Sequence, residues 1–110
     1  MRHTRSPGSK HVNLDLEVPI EFASEGIVSK RVAKTSGFEV DLFCLSSGQS
    51  LSEHTSSYAA TIHILRGRGE ILLGKRTYEA KPNAWFHLPP RTPHAVKSKE
   101  NLVFLLTLFK

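Results

Sequence analysis

His54 and His94 are the residues of this 110-residue chain best equipped for chemistry. A neutral imidazole offers one ring nitrogen as a lone-pair donor and is the commonest protein ligand for transition metals. His54 ends the segment Gly48-Gln49-Ser50-Leu51-Ser52-Glu53-His54, and His94 ends Pro89-Pro90-Arg91-Thr92-Pro93-His94, so each follows turn-forming residues. Two ligands alone do not close a site. Structural zinc takes four protein ligands and catalytic zinc three, and non-haem iron takes two His and a carboxylate, so a third group or water must contribute. Glu53 adjoins His54, but strand side chains alternate, which turns it away from a site that His54 faces. Ser56 has the right parity and a weaker donor. Without a metal, the same pair would be two pocket-lining polar residues bonded to each other or to backbone, and both readings stand at this point.

Positions forty apart meet most readily in a hairpin-built sheet, and the intervening sequence is organised that way. Tyr58–Leu65 alternates with Tyr58, Ala60, Ile62 and Ile64 on one face, and Phe38–Leu45 follows a turn at Ser36-Gly37. Arg68–Leu73 and Arg76–Glu79 flank Gly74-Lys75, a Gly-X pair suited to a type II′ hairpin turn. Pro82-Asn83 precedes a strand over Ala84–Leu88, which Pro89-Pro90 closes because proline cannot donate to a ladder. Leu102–Phe109 is an apolar run far shorter than the ~18 residues of a membrane helix and reads as a buried strand. Upstream, Gly26–Lys34 and the alternating Leu14, Leu16, Val18 and Ile20 within Leu14–Phe22 also predict strands. No stretch keeps a capped helical periodicity over three turns. Short strands at even spacing with Gly, Pro, Asn and Ser between them predict an all-β sandwich or barrel over 13–110.

The net charge of +5 and pI near 9.7 raise the question of nucleic acid. Arg2, Arg5 and Lys10 supply three of these charges with no acid nearby, so the excess sits mainly in a flexible basic N-terminal arm, taken as 1–12. The rest is nearly balanced, and neither a nucleic-acid partner nor a membrane is expected. The single Cys44 excludes an internal disulfide and leaves the cytoplasm as the default compartment. It alternates with Phe38, Val40 and Leu42, as a small buried hydrophobe does. Ser46-Ser47-Gly48 lacks the following helix of a nucleophile elbow, and Gly67-Arg68-Gly69 is too short for a phosphate loop.

The turns and histidines together resemble the cupin family, specifically its small single-domain bacterial members. Gly48, His54 and Gly67 match the spacing of that family's first motif, and Pro89 and His94 match the second. Ser56 stands where the family has a second His and Ala60 where it has a Glu. Asn83 and Arg91 stand at its glycines and Ser98 at its terminal Asn. Ser52-Glu53-His54-Thr55, Ile64-Leu65-Arg66-Gly67-Arg68-Gly69-Glu70 and Pro93-His94-Ala95-Val96 extend the likeness. The resemblance implies a jelly-roll barrel, a divalent transition metal (Fe, Mn, Ni or Zn) on His54 and His94, and dioxygenase- or isomerase-like chemistry if there is a reaction. It also implies a homodimer paired through its sheets. Ser56, Tyr58, Ala60, Ile62, Phe86 and Leu88 are the expected pocket, with Ile64, Phe104 and Leu106 beside them. With no Arg or Lys directed inward by parity, the expected ligand is small and largely apolar. His63 and His87 have the opposite parity and are expected on a second layer or dimer surface, unless a bulge shifts the pleat.

Overall fold

The computed structural model describes residues 11–110, so most of the expected arm over 1–12 lies outside the described residues. The described residues form strands and no helix: β1 (Ile27–Lys34), β2 (Phe38–Leu45), β3 (Ser50–His54), β4 (Ala59–Arg66), β5 (Gly69–Leu73), β6 (Arg76–Ala80), β7 (Trp85–Leu88), β8 (His94–Ser98) and β9 (Leu102–Phe109). None of them is therefore in a helix long and apolar enough to cross a membrane. A five-stranded sheet in the order β1-β2-β9-β4-β7 faces a four-stranded sheet in the order β3-β8-β5-β6, all antiparallel. This is a jelly roll, the double-sheet solution in which strands distant in sequence become neighbours.

Alternation fills the space between the sheets. Ala60, Ile62 and Ile64 of β4, Phe104 of β9, Ile71 of β5 and Val96 of β8 are buried together in one cluster. A second cluster of Leu42, Cys44 and Val103 lies on the other face of the five-stranded sheet, under Ile20 and Phe22. Cys44 is buried there, as its small apolar side chain requires. The predicted strand over Leu14–Phe22 does not form: the backbone turns, with the Val18 N–H donating to the Asp15 carbonyl and Pro19 unable to donate at all. Its apolar residues cover the sheet's outer face instead of joining an edge.

The turns explain the register. Gly74 has φ of +60° in a two-residue loop between Leu73 and Arg76, the geometry of the predicted type II′ hairpin. Two turns of type II signature share one plan: the Ala84 N–H donates to Lys81 O around Pro82-Asn83, and the Thr92 N–H to Pro89 O around Pro90-Arg91. Proline presets the first central residue, and the second has positive φ, +74° at Asn83 and +64° at Arg91. Thus the left-handed backbone is kept at both positions where the resembled family places glycine.

Candidate functional site

β3 and β8 are neighbours and bring the two histidines directly opposite each other. Leu51 pairs with Val96 and His54 with His94, so β3 uses three steps where β8 uses two. The extra residue is a β-bulge at Ser52-Glu53, and it puts Leu51 and His54 on the same face although simple alternation would separate them. The bulge also orients the ring, since the Ser52 carbonyl lies 2.8 Å from His54 Nδ1. His94 is held the same way, with Nδ1 3.0 Å from the Thr92 carbonyl of the type II turn. A carbonyl only accepts, so both Nδ1 atoms carry the proton and both Nε2 atoms keep a lone pair. The ring centroids are 4.1 Å apart with planes inclined at 62°.

Their surroundings differ. His94 is buried and His54 exposed, so one imidazole lies inside and the other at the mouth. Burial pushes the His94 pKa below its ordinary value, the Thr92 carbonyl opposes this, and the nearby His54 adds to the lowering. His94 is thereby kept neutral and competent as a ligand or proton acceptor near neutral pH.

The pair opens on a cavity of about 100 Å³. Phe43, Ile62, Phe104 and Leu106 line it from the five-stranded sheet, and Leu51, His54, His94 and Val96 from the other. Of the expected pocket residues besides the histidines, Ile62, Phe104 and Leu106 line it, and Ile64 is buried in the core. Ala60 and Leu88 are buried in the core beyond it, and Phe86 packs there too, against Tyr78, because β7 is the edge strand farthest from β2. Tyr58 is 43% exposed, with its ring under Lys110 Nζ. The Ser56 Oγ accepts the Tyr58 N–H, and its carbonyl accepts the Arg91 N–H, so it braces the two loops that carry the histidines. His63 and His87 are on the outer face, across from Leu105 and Thr61 respectively.

Sequence reasoning missed Phe43, Leu51 and Val96. The signal for Phe43 was the second alternating set of β2, Glu39, Asp41, Phe43 and Leu45, which faces inward. Ser98, at the family's Asn position, is a buried brace: its hydroxyl donates to the Ser46 carbonyl at 2.5 Å and accepts the Gln49 N–H at 3.0 Å. That bond fixes the loop entering β3. Among the described residues no group of three or more His, Cys, Asp or Glu is placed to hold a metal.

A two-sheet jelly roll with an imidazole pair in its cavity defines a class of small barrel proteins, and comparison narrows it. The model of the cupin domain matches residues 41–108, so the chain belongs to the cupin family. A conserved protein of unknown function from Streptococcus pyogenes has 25% identity and a TM-score of 0.81, with 100% of this chain and 96% of that one covered. A cupin superfamily protein from Desulfitobacterium hafniense has 22% identity and a TM-score of 0.82 over 99% and 98% of the two chains. An RmlC-like cupin from Desulfovibrio desulfuricans has 28% identity and a TM-score of 0.79 over 93% and 97%. No curated protein matches this sequence.

Proposed function

We propose that this cupin binds a divalent transition metal through His54 and His94, in a cavity that also admits a small organic ligand. The observation that carries the reading is the commitment of both Nδ1–H groups to backbone carbonyls, beside rings 4.1 Å apart. Metal-ligating histidines are oriented in this way, by a carbonyl or carboxylate on the second ring nitrogen. Two nitrogen donors fit a labile site completed by water or ligand, and do not fit a closed structural zinc site. A bound ion would supply Lewis-acid polarisation of a ligand oxygen. The chain's own residues do the rest: Phe43, Leu51 and Leu106 exclude water, and burial, which keeps His94 neutral, keeps its Nε2 lone pair available to the ion. Any dioxygenase- or isomerase-like reaction would draw on these two properties.

The test is equilibrium dialysis of tag-free protein against Mn, Fe(II), Ni and Zn, with metal content measured afterwards. About one equivalent is expected in the wild type and a large loss in His94→Ala; no metal uptake by the wild type would end the proposal.

A metal-free binding pocket is the second reading, favoured by the presence of only two donors in an otherwise apolar lining. Under it, ligand-induced thermal stabilisation persists in chelator and changes in His54→Ala.

As partner we propose a second copy of the chain. Thr61, His63, Trp85, His87, Thr107 and Phe109 share the outer face of β4, β7 and β9 by register, without a charged side chain among them, and Trp85 is 61% exposed. Light scattering should give a dimer mass, reduced in Trp85→Glu. The near balance of charge over 11–110 supports neither nucleic acid nor membrane as partner, and we propose the cytoplasm as its compartment on the strength of the lone reduced cysteine.

A further inference from the structure

The outer face of the five-stranded sheet is covered over one half only. Ile20 and Phe22 pack on Leu42, Cys44 and Val103, and Glu17 pairs with Arg66 at the end of β4, so the segment before β1 lies over β1, β2 and the near ends of β4 and β9. Beyond that border Thr61, His63, Trp85, His87, Thr107 and Phe109 continue the same face by register. Trp85 is 61% exposed and Phe109 47%, which marks this half as open among the described residues.

Two imidazoles stand near the middle of the open half. His63 pairs with Trp85 and His87 with Thr61, so the histidines are diagonal neighbours on adjacent strands and flank Thr61. Diagonal side chains on one face have Cβ atoms about 7 Å apart, within reach of one another for groups as long as imidazole. Among the described residues neither ring has a hydrogen bond or an ion pair, unlike His54 and His94, whose Nδ1 atoms are committed to carbonyls. Each neutral ring therefore keeps a lone pair for an external partner. One copy offers these two nitrogens and no third donor, since no group of three or more His, Cys, Asp or Glu gathers among the described residues. Tetrahedral zinc takes four ligands, so each copy carries half a site.

We propose that His63 and His87 of two copies of the chain together hold a zinc ion on the two-fold axis of the dimer. The proposal rests on the reading of this face as the dimer surface. A second copy is the occupant because the open half has no charged side chain to repel its own likeness. The segment before β1 raises the other half, so two copies meet over β4, β7 and β9, with the axis close to Thr61 and its flanking histidines. An isologous contact repeats every residue across the axis and turns two donors into four. Two nitrogens then reach the ion from each side, which suits tetrahedral zinc better than a metal that prefers a planar ligand set. Trp85, the cross-strand neighbour of His63, shields the ion from water.

The experiment is zinc dialysis and sedimentation of the full, tag-free chain carrying His54→Ala and His94→Ala, which removes the cavity donors, with and without a further His63→Ala or His87→Ala. The cavity variant should bind about half an equivalent of zinc per chain, and free zinc at about ten times its dissociation constant should tighten the dimer about tenfold. Either outer substitution should abolish both effects and leave the dimer measured in chelator unchanged. Wild type gives a second readout that does not depend on the cavity variant folding: zinc uptake about half an equivalent above that of wild type carrying only His87→Ala. Zinc uptake indifferent to His87→Ala in both backgrounds, or a full equivalent held by the outer histidines of each chain, would overturn the proposal. A dimer of equal strength in zinc and in chelator would overturn the bridge and leave the dimer face standing, whereas a chain that is monomeric in both would overturn the face and the bridge together.

Discussion

Replacing Arg91 by glycine should stabilise the protein. Arg91 holds φ of +64° at the second central position of its turn, where an L-residue crowds its own carbonyl at a cost of about 1–2 kcal/mol. Glycine removes that strain but gives the unfolded chain more freedom, which takes back about 0.5–1 kcal/mol. Nothing else is lost. The side chain is exposed and makes no hydrogen bond among the described residues, and the one bond to Ser56, from the backbone N–H at 2.7 Å, survives. The net gain is about 0.5–1 kcal/mol, equivalent to a rise of about 2–8 °C in Tm for a domain of this size. Differential scanning calorimetry and urea titration of Arg91→Gly and Arg91→Ala measure it. Alanine keeps the strain and should stay within about 0.5 kcal/mol of wild type. An Arg91→Gly protein less stable than wild type, or an alanine variant gaining as much, would refute the strain argument.

Three further outcomes follow from particular contacts. Gly67→Ala should cost about 3 kcal/mol or prevent folding, because φ is +83° and an added Cβ would stand 1.9 Å from the Asn101 carbonyl oxygen; chemical denaturation or soluble yield reports it. Ser98→Ala should cost about 1–2 kcal/mol by urea titration, having removed a buried hydroxyl that joins Ser46 to Gln49, and a change under about 0.3 kcal/mol would contradict that role. The depressed His94 pKa means that the unfolded chain binds a proton more readily than the folded one. Its contribution is therefore complete above the unfolded value near 6.5 and is lost as pH falls through the folded value, so urea stability should drop between pH 7.5 and 5.5. His94→Gln should flatten that slope.

Much of the fold was legible because its signals are local. Gly74-Lys75, Pro82-Asn83 and Pro89-Pro90 each punctuate strands whose alternation sets one face inward, and Ala60, Ile62 and Ile64 fell on the buried face. Where both faces are covered, alternation loses its meaning. Phe38, Val40, Leu42 and Cys44 had the more apolar pattern, yet that face meets Ile20 and Phe22 outside the barrel, and the mixed set with Glu39 and Asp41 turns inward. The alternating Leu14, Leu16, Val18 and Ile20 resembled a strand, but Pro19 and the Asp15–Val18 turn redirect the backbone. The bulge at Ser52-Glu53 contains no glycine and leaves no mark in the sequence, so the agreement in direction of Leu51 and His54 emerged only in three dimensions. The family's missing His and Glu, at Ser56 and Ala60, were visible from the start; that both remaining imidazoles are pre-oriented by carbonyls was not.

The central claim is that His54 and His94 form one metal site. A crystal structure of tag-free protein equilibrated with zinc or nickel, with anomalous data collected at the metal edge, tests it most directly. The account predicts one peak in the cavity about 2.0–2.1 Å from the Nε2 atoms of both histidines, with water or ligand completing the coordination. No peak there, or a peak confined to His63 and His87 on the outer face, would contradict it.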